Sequence, residues 1–125
     1  MAELEEERIK KIEEIILAHK GKKHPITARK IAREVGIPDN DTFITTRMLI
    51  RKLIKQKQLP IGALDNRGYF LMQTNDELRD YLKTLHRRII GITDRKTRVI
   101  RYFENYHNKD FLDTEENDEN VEEYL

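Results

Sequence analysis

The sequence predicts a mainly α-helical protein with one small β-hairpin. Four segments place apolar residues at the three- and four-residue spacing of an amphipathic helix. Between the third and fourth of these segments, turn-forming residues separate two short runs of strand-forming residues. The chain has 125 residues, enough for one domain. It has no cysteine, which excludes disulfides, thiolate zinc sites and a cysteine nucleophile.

Two helices are predicted in the first part of the chain. The first runs from about Ala2 to His19, and a glycine two residues later acts as a helix stop. Pro25 disfavours helix for the residue before it, so a short extended segment is expected there. Thr27 then has the position of an N-cap for a second helix over Ala28–Val35, which Gly36 ends. The apolar stripes of the two helices comprise Ile9, Ile12, Ile15, Ile16, Ala28, Ile31, Ala32 and Val35.

The third predicted helix begins near Asp41 or Thr42, both favourable N-cap residues, and runs to about Gln58. Its inner stripe is predicted to comprise Phe43, Thr46, Leu49, Ile50 and Leu53. Its outward face is predicted to show Thr42, Thr45, Arg47, Arg51, Lys52 and Lys55. The spacing assigns no position to the remaining apolar residues, Ile44, Met48 and Ile54.

A hairpin is predicted after the third helix. Its strands are expected over Leu59–Ala63 and Tyr69–Met72. The segment between them, Leu64–Gly68, is dense in turn-forming residues. The hairpin would therefore present one basic residue, Arg67, at its tip.

A long fourth helix is predicted to begin with a capping box formed by Thr74 and Glu77. Its apolar residues follow a heptad pattern in which Lys96 occupies one slot, as in a coiled coil. Gly91 is expected to mark either a bend or a break. Three leucines, Leu78, Leu82 and Leu85, are predicted to cover the core of the domain. A second subunit is predicted to contact Ile92, Val99, Ile100, Phe103 and Tyr106.

Charge is distributed unevenly along the chain. Eight of the 23 acidic residues lie in the stretch 110–125, which has no Lys or Arg. Residues 1–109 therefore carry 24 basic and 15 acidic residues, a net charge of +9. A basic body with an acidic end indicates a polyanionic partner. The predicted organisation is a domain over 1–73, a helix over 74–107 that covers the core and mediates dimerisation, and a flexible acidic tail over 108–125.

The central part of the chain resembles winged helix-turn-helix DNA-binding proteins. The resemblance lies in the segment Ile26–Ala32, the turn at Gly36-Ile37, the helix from Thr42 to Gln58 and the hairpin from Pro60 to Leu71. The hairpin sequence is similar to that of small winged-helix proteins of phages, prophages and mobile elements. The resemblance covers about half of the chain and implies that the third helix is the recognition helix.

The expected partner is double-stranded DNA. Threonine hydroxyls and arginine side chains suit contacts to phosphates and base edges in the major groove. Arg67, at the tip of the hairpin, suits a contact in the minor groove. The predicted contacts are Thr27, Arg29, Lys30, Thr42, Thr45, Arg47, Arg51, Lys52, Lys55 and Arg67.

Several other functions are not expected. The four histidines have no metal-ligand spacing, and the chain has neither a serine nor a glycine-rich phosphate loop. We therefore expect no enzyme, no cofactor and no metal. No apolar run approaches the ~20 residues of a membrane span. The acidic start of the chain does not resemble a signal peptide. A cytoplasmic, nucleoid-associated protein is expected.

Two functional hypotheses follow. The first is a dimeric, sequence-specific DNA-binding protein, acting as a transcriptional regulator or as a replication-origin factor of a phage, virus or mobile element. The second is a winged-helix module that binds protein and not DNA. The acidic tail is expected to act as a solubilising end, to compete with DNA, or to recruit a protein through Phe111-Leu112 or Val121–Leu125. The sequence does not choose among these roles.

Overall fold

A computed structural model of the chain describes residues 2–112. The elements are α1 (Ala2–Leu17), α2 (Ala28–Val35), α3 (Ile44–Lys57), β1 (Ile61–Leu64), β2 (Gly68–Leu71) and α4 (Asn75–His107). This succession confirms the predicted fold class, which is mainly α with a small hairpin and a long C-terminal helix. Most of the predicted acidic tail, residues 113–125, lies outside the described residues.

The chain divides into two units between Thr84 and Leu85. In the first unit, α1 packs against α2, α3 and β2, and α2 also packs against α3. Each isoleucine that is fully buried contributes about 1.5–3 kcal/mol relative to exposure. The predicted stripes of the first three helices form most of the core, which comprises Ile9, Ile12, Ile16, Ile26, Ile31, Ala32, Ile37, Leu49, Ile50, Leu53 and Ile61.

The two strands form an antiparallel hairpin in which Ile61 pairs with Leu71 and Leu64 pairs with Gly68. The end pair therefore includes two residues that the sequence assigned to the turn. Gly68 has a φ of +108°, and a Cβ at this position would lie 2.0 Å from the carbonyl oxygen of Ile26. The close approach of this backbone requires glycine there.

Turns and bends make up most of the segment between α1 and α2, where two or three extended residues were predicted, and this segment pairs with β2 at Lys20 and Ile26. The backbone N–H of Ile26 donates to the carbonyl of Tyr69 at 2.8 Å, and the N–H of Tyr69 donates back at 2.7 Å. The next residue, Thr27, caps α2 by accepting a hydrogen bond from the N–H of Lys30 at 3.1 Å. Gly36 ends α2 in the left-handed conformation. Both predicted ends of α2 are thus confirmed.

The start of α4 is fixed by the predicted capping residues. The N–H of Glu77 donates to the hydroxyl of Thr74 at 3.1 Å. The Glu77 carboxylate accepts from the N–H of Gln73 and from the N–H of Lys22, both at 2.7 Å. Because these hydrogen bonds favour the charged form, the pKa of Glu77 lies below its usual value. Glu77 therefore joins the start of α4 to the segment that follows α1.

The prediction that Leu78 and Leu82 cover the core is wrong, because Leu78 is 44% exposed and Leu82 is 53% exposed. The part-buried residues of α4 within the first unit are instead Glu77, Tyr81 and Thr84. Tyr81 and Thr84 line a small cavity together with Phe70 of β2. Leu78 and Leu82, the heptad residues of α4 within the first unit, thus do not contribute to its core. The helix continues through Gly91 without a break.

None of the helices within residues 2–112 combines the length and apolar character needed to cross a bilayer.

Candidate nucleic-acid interface

The side of α3 that points away from the core carries a mixed basic and apolar surface. Thr46, Leu49, Ile50 and Leu53 are buried, as predicted for the inner stripe. The residues on the opposite side follow helical spacing and are all exposed. We call this surface the outer face of α3, and it comprises Ile44, Arg47, Met48, Arg51 and Lys55. No Asp or Glu occurs anywhere in α3.

The beginning of α3 differs from the prediction. The helix starts at Ile44, after Phe43 in the left-handed conformation, and neither Asp41 nor Thr42 caps it. The cap is Asp39, whose carboxylate accepts from the N–H of Thr45 at 3.2 Å and from the N–H of Thr46 at 2.7 Å. A residue six or seven positions upstream lies outside the local N-cap pattern that sequence reasoning tests.

The carboxylate of Asp39 is held in its charged form. It also accepts from the hydroxyl of Thr46 at 2.6 Å. Burial raises the pKa of Asp39, but the hydrogen bonds from Thr46 and Thr45 together lower it by a larger amount. The pKa therefore lies below the usual 3.8. The amides of Thr45 and Thr46, the second and third residues of α3, are therefore occupied by a carboxylate.

Two of the predicted DNA-contacting threonines are affected by this arrangement. Thr42 lies in the turn before α3, where its N–H and hydroxyl both donate to the Asn40 side chain, at 3.0 and 2.6 Å. It is thus not part of the helix face on which it was expected. Thr45 is on α3 but is only part-exposed, and its N–H is held by Asp39.

A cation–π contact joins the start of α2 to the start of α3. The guanidinium carbon of Arg29 lies 5.6 Å from the centre of the Phe43 ring. Arg29, Lys30 and Thr27 are all exposed. Three of the predicted contacts are therefore on the surface at the beginning of α2.

The outer face of α3 extends toward the hairpin through Tyr69 of β2. Burial raises the pKa of the Tyr69 phenol above 10.0, and the positive charges of Arg47 and Arg51 lower it by a smaller amount. These arginines are therefore close enough to Tyr69 to interact electrostatically with it. Arg67 lies exposed in the turn of the hairpin. The helix and the hairpin thus each present exposed basic residues.

Lys52 and Lys22 are each paired with an acidic residue. The Lys52 ammonium lies 2.5 Å from the carboxylate of Glu5, at the beginning of α1. Lys22, which lies before α2, is 3.4 Å from the carboxylate of Asp80 in α4. Lys52 is also only part-exposed, so it lies beside the outer face of α3 and not at its centre.

Sequence reasoning left two residues of the outer face unassigned. Ile44 and Met48 are 62% and 38% exposed. The signal was available, since they lie one turn apart on the same side of the helix as Arg51 and Lys55. Ile54, which was also unassigned, packs against the core.

The second unit presents the distal part of the heptad pattern. Ile92, Val99, Phe103 and Tyr106 are exposed, and Ile100 is part-exposed. The aromatic end is locally ordered, since the Phe103 ring lies 4.6 Å from His107 and 6.2 Å from Phe111, centre to centre. We call the heptad residues the α4 seam: Leu78, Leu82, Leu85, Ile89, Ile92, Lys96, Val99, Phe103 and Tyr106.

These elements form a mainly α-helical fold with a long C-terminal helix and a two-stranded antiparallel hairpin, which we call the wing. Comparisons with protein-family models, with curated proteins and with solved structures find no match for this chain. Within residues 2–112, no group of three or more histidine, aspartate or glutamate residues could hold a metal ion.

Proposed function

We propose that this protein binds double-stranded DNA through the outer face of α3. The observation that carries the proposal is an exposed helix face with Arg47, Arg51 and Lys55 on a helix without acidic residues. An α-helix fits the major groove, where each base pair presents a distinct pattern of donors and acceptors. Arginine can bind guanine edges in two-point contacts or neutralise phosphates.

The surrounding surface supports the same role. Arg29 and Lys30 at the beginning of α2, and Arg67 in the turn of the hairpin, are further exposed basic residues. Contacts of this kind to phosphates position the protein on the duplex, whereas α3 reads the bases. We propose a role as a transcriptional regulator or a replication-origin factor of a phage, virus or mobile element, in the cytoplasm at the nucleoid.

A titration with random duplex DNA at roughly 50 and 200 mM salt tests this proposal. Each phosphate contact steepens the loss of affinity with salt, so we expect a strong salt dependence. Replacing Arg47 and Arg51 together with alanine is expected to abolish binding. Replacing Lys10 and Lys11, two exposed residues of α1, with alanine removes the same amount of charge. This control variant is expected to keep most of the DNA affinity. Equal losses in the two double variants would reject the outer face of α3 as the reading surface.

We further propose that two copies of the chain associate through the α4 seam, so that the dimer reads two related half-sites. The exposed apolar residues of the seam support this, because helices with such a repeat bury it against one another. Ile92→Asp is expected to yield a monomer in light scattering. Ile90→Asp changes an isoleucine that is equally on α4 but off the seam, and is expected to leave the dimer intact. A dimer that survives Ile92→Asp would place the interface elsewhere.

A second candidate function is a winged-helix module that binds a protein. The exposure of Ile44 and Met48 favours it, since apolar residues on a helix face also suit a protein partner. The duplex titration separates the two functions, because a protein-binding module predicts no salt-dependent DNA affinity.

A further inference from the structure

The outer face of α3 combines two apolar side chains with cationic ones. Ile44 is the first residue of the helix, and Met48 follows one turn later. Neither belongs to the core cluster, whereas their neighbours Phe43 and Ile54 pack against it. The domain thus leaves these two side chains unused, at the end of the helix that enters the groove in winged helix-turn-helix proteins, which the sequence resembles.

The chemistry of the major groove restricts what Ile44 and Met48 can contact. Neither side chain can donate a hydrogen bond, and the apolar group in the recognition pattern of the major groove is the C5 methyl of thymine. Arg47 and Arg51 lie on the same face and favour a polyanion over an apolar protein surface. Two apolar and two cationic side chains on one helix face therefore suit the major groove, which has phosphates along its edges and thymine methyl groups on its floor.

We propose that Ile44 and Met48 are specificity-determining residues that read thymine methyl groups. This inference rests on the proposed DNA-binding function. Four residues of helix rise about 6 Å, and base pairs rise about 3.4 Å. The two side chains therefore contact thymines one or two base pairs apart, next to the bases or phosphates that Arg47 and Arg51 contact.

The test begins with selection of bound duplexes from a random pool, using the full chain. Each thymine of the selected site is then replaced singly by deoxyuridine, which removes only the methyl group. At the one or two thymines that Ile44 and Met48 read, we expect a loss of affinity of about fourfold, the equivalent of one buried methyl. Replacement outside the selected site is expected to have no effect.

Two variants assign the effect to the side chains. Each of the variants Ile44→Ala and Met48→Ala is expected to lose the deoxyuridine effect at one thymine of the site, the one that the replaced side chain contacts. At that position the variant should bind thymine and deoxyuridine with equal affinity, because the methyl group has lost its partner. Ile90→Ala, which shortens an exposed isoleucine of α4, is the control and is expected to retain the full difference.

The possible failures are distinguishable. Selective duplex binding that is unaffected by deoxyuridine at every position would overturn the thymine inference and leave the proposed function standing. A deoxyuridine effect that persists in both Ile44→Ala and Met48→Ala would overturn it as well. No duplex binding at all would overturn both this inference and the proposed function.

Discussion

Asp39 holds Thr46 through two hydrogen bonds to one carboxylate oxygen, from the backbone N–H at 2.7 Å and from the hydroxyl at 2.6 Å. Thr46 is completely buried, and its hydroxyl is satisfied by this contact. Asp39 thereby caps α3 from the turn that precedes it and fixes where the outer face of the helix begins.

Asp39→Ala is expected to lower the free energy of unfolding by about 1–2 kcal/mol, because α3 loses its cap and a buried hydroxyl loses its acceptor. Asp41→Ala is the matched control, since Asp41 lies in the same turn, is exposed and does not cap the helix. Denaturant unfolding of the two variants measures the difference. Equal losses would mean that the turn as a whole, and not this carboxylate, supports the helix.

The contribution of Asp39 is expected to depend on pH. Its pKa in the folded protein lies below the usual 3.8, so the charged form stabilises the fold. This stabilisation is complete above pH 3.8 and is lost as the pH falls from there through the lowered pKa. The difference in unfolding free energy between the wild type and Asp39→Asn should therefore shrink in this acid range. A difference that stays constant would contradict the pKa shift.

Gly68→Ala is expected to disrupt the wing. Its Cβ would lie 2.0 Å from the carbonyl oxygen of Ile26, and the φ of +108° disfavours any other residue. Gly91→Ala provides the opposite case, since a Cβ there meets nothing within 4 Å and alanine is the better helix former by ~1 kcal/mol. Thermal unfolding should show a lower Tm for the first variant and a higher Tm for the second. A tolerated alanine at position 68 would mean that the pairing of β2 with Ile26 can adjust.

Lys96→Ile is expected to strengthen the proposed dimer. A lysine within the seam costs stability where an apolar side chain would be buried. Arg87→Ile also replaces an exposed basic residue of α4 with isoleucine, but off the seam, and should leave the dimer affinity unchanged. Sedimentation equilibrium measures both dissociation constants. Weaker association of Lys96→Ile would indicate that the lysine faces an acidic partner residue.

Glu5→Gln is expected to raise the affinity for random duplex DNA, because the variant releases Lys52 from its ion pair beside the outer face of α3. Glu6→Gln makes the same charge change at an exposed neighbour and should have the smaller effect. Fluorescence anisotropy at low salt measures the two affinities. Equal increases would show that only the net charge of the chain matters.

The core and most element boundaries could be predicted because they depend on local chemistry. The spacing of Ile9, Ile12 and Ile16 in α1, the cap at Thr27 and the stop at Gly36 each involve residues within one or two turns of a helix. The cap by Asp39 could not be predicted in this way. It depends on Phe43 adopting the left-handed conformation, which an aromatic residue rarely does.

The surface of α4 illustrates a second limit. A heptad pattern indicates that one face of a helix is apolar, but it does not state what covers that face. Leu78 and Leu82 are exposed, although their place in the apolar stripe of α4 led to the prediction that they cover the core. The basic residues of the candidate interface were found because charge is visible in the sequence. Ile44 and Met48 were left unassigned because their apolar side chains are typical of a core, whereas their spacing places them on the same side of the helix as Arg51 and Lys55.

The pairing of residues 19–26 with β2 also protects the protein from a common hazard of small sheets. Tyr69 and Leu71 lie in register with Ala63 and Ile61 of β1 on one side, and their backbone N–H and carbonyl groups form hydrogen bonds with His19, Gly21 and Ile26 on the other. An edge strand with free amides and carbonyls can recruit strands from other molecules and start aggregation. Because both sides of β2 are occupied, the hairpin offers no such edge along this strand.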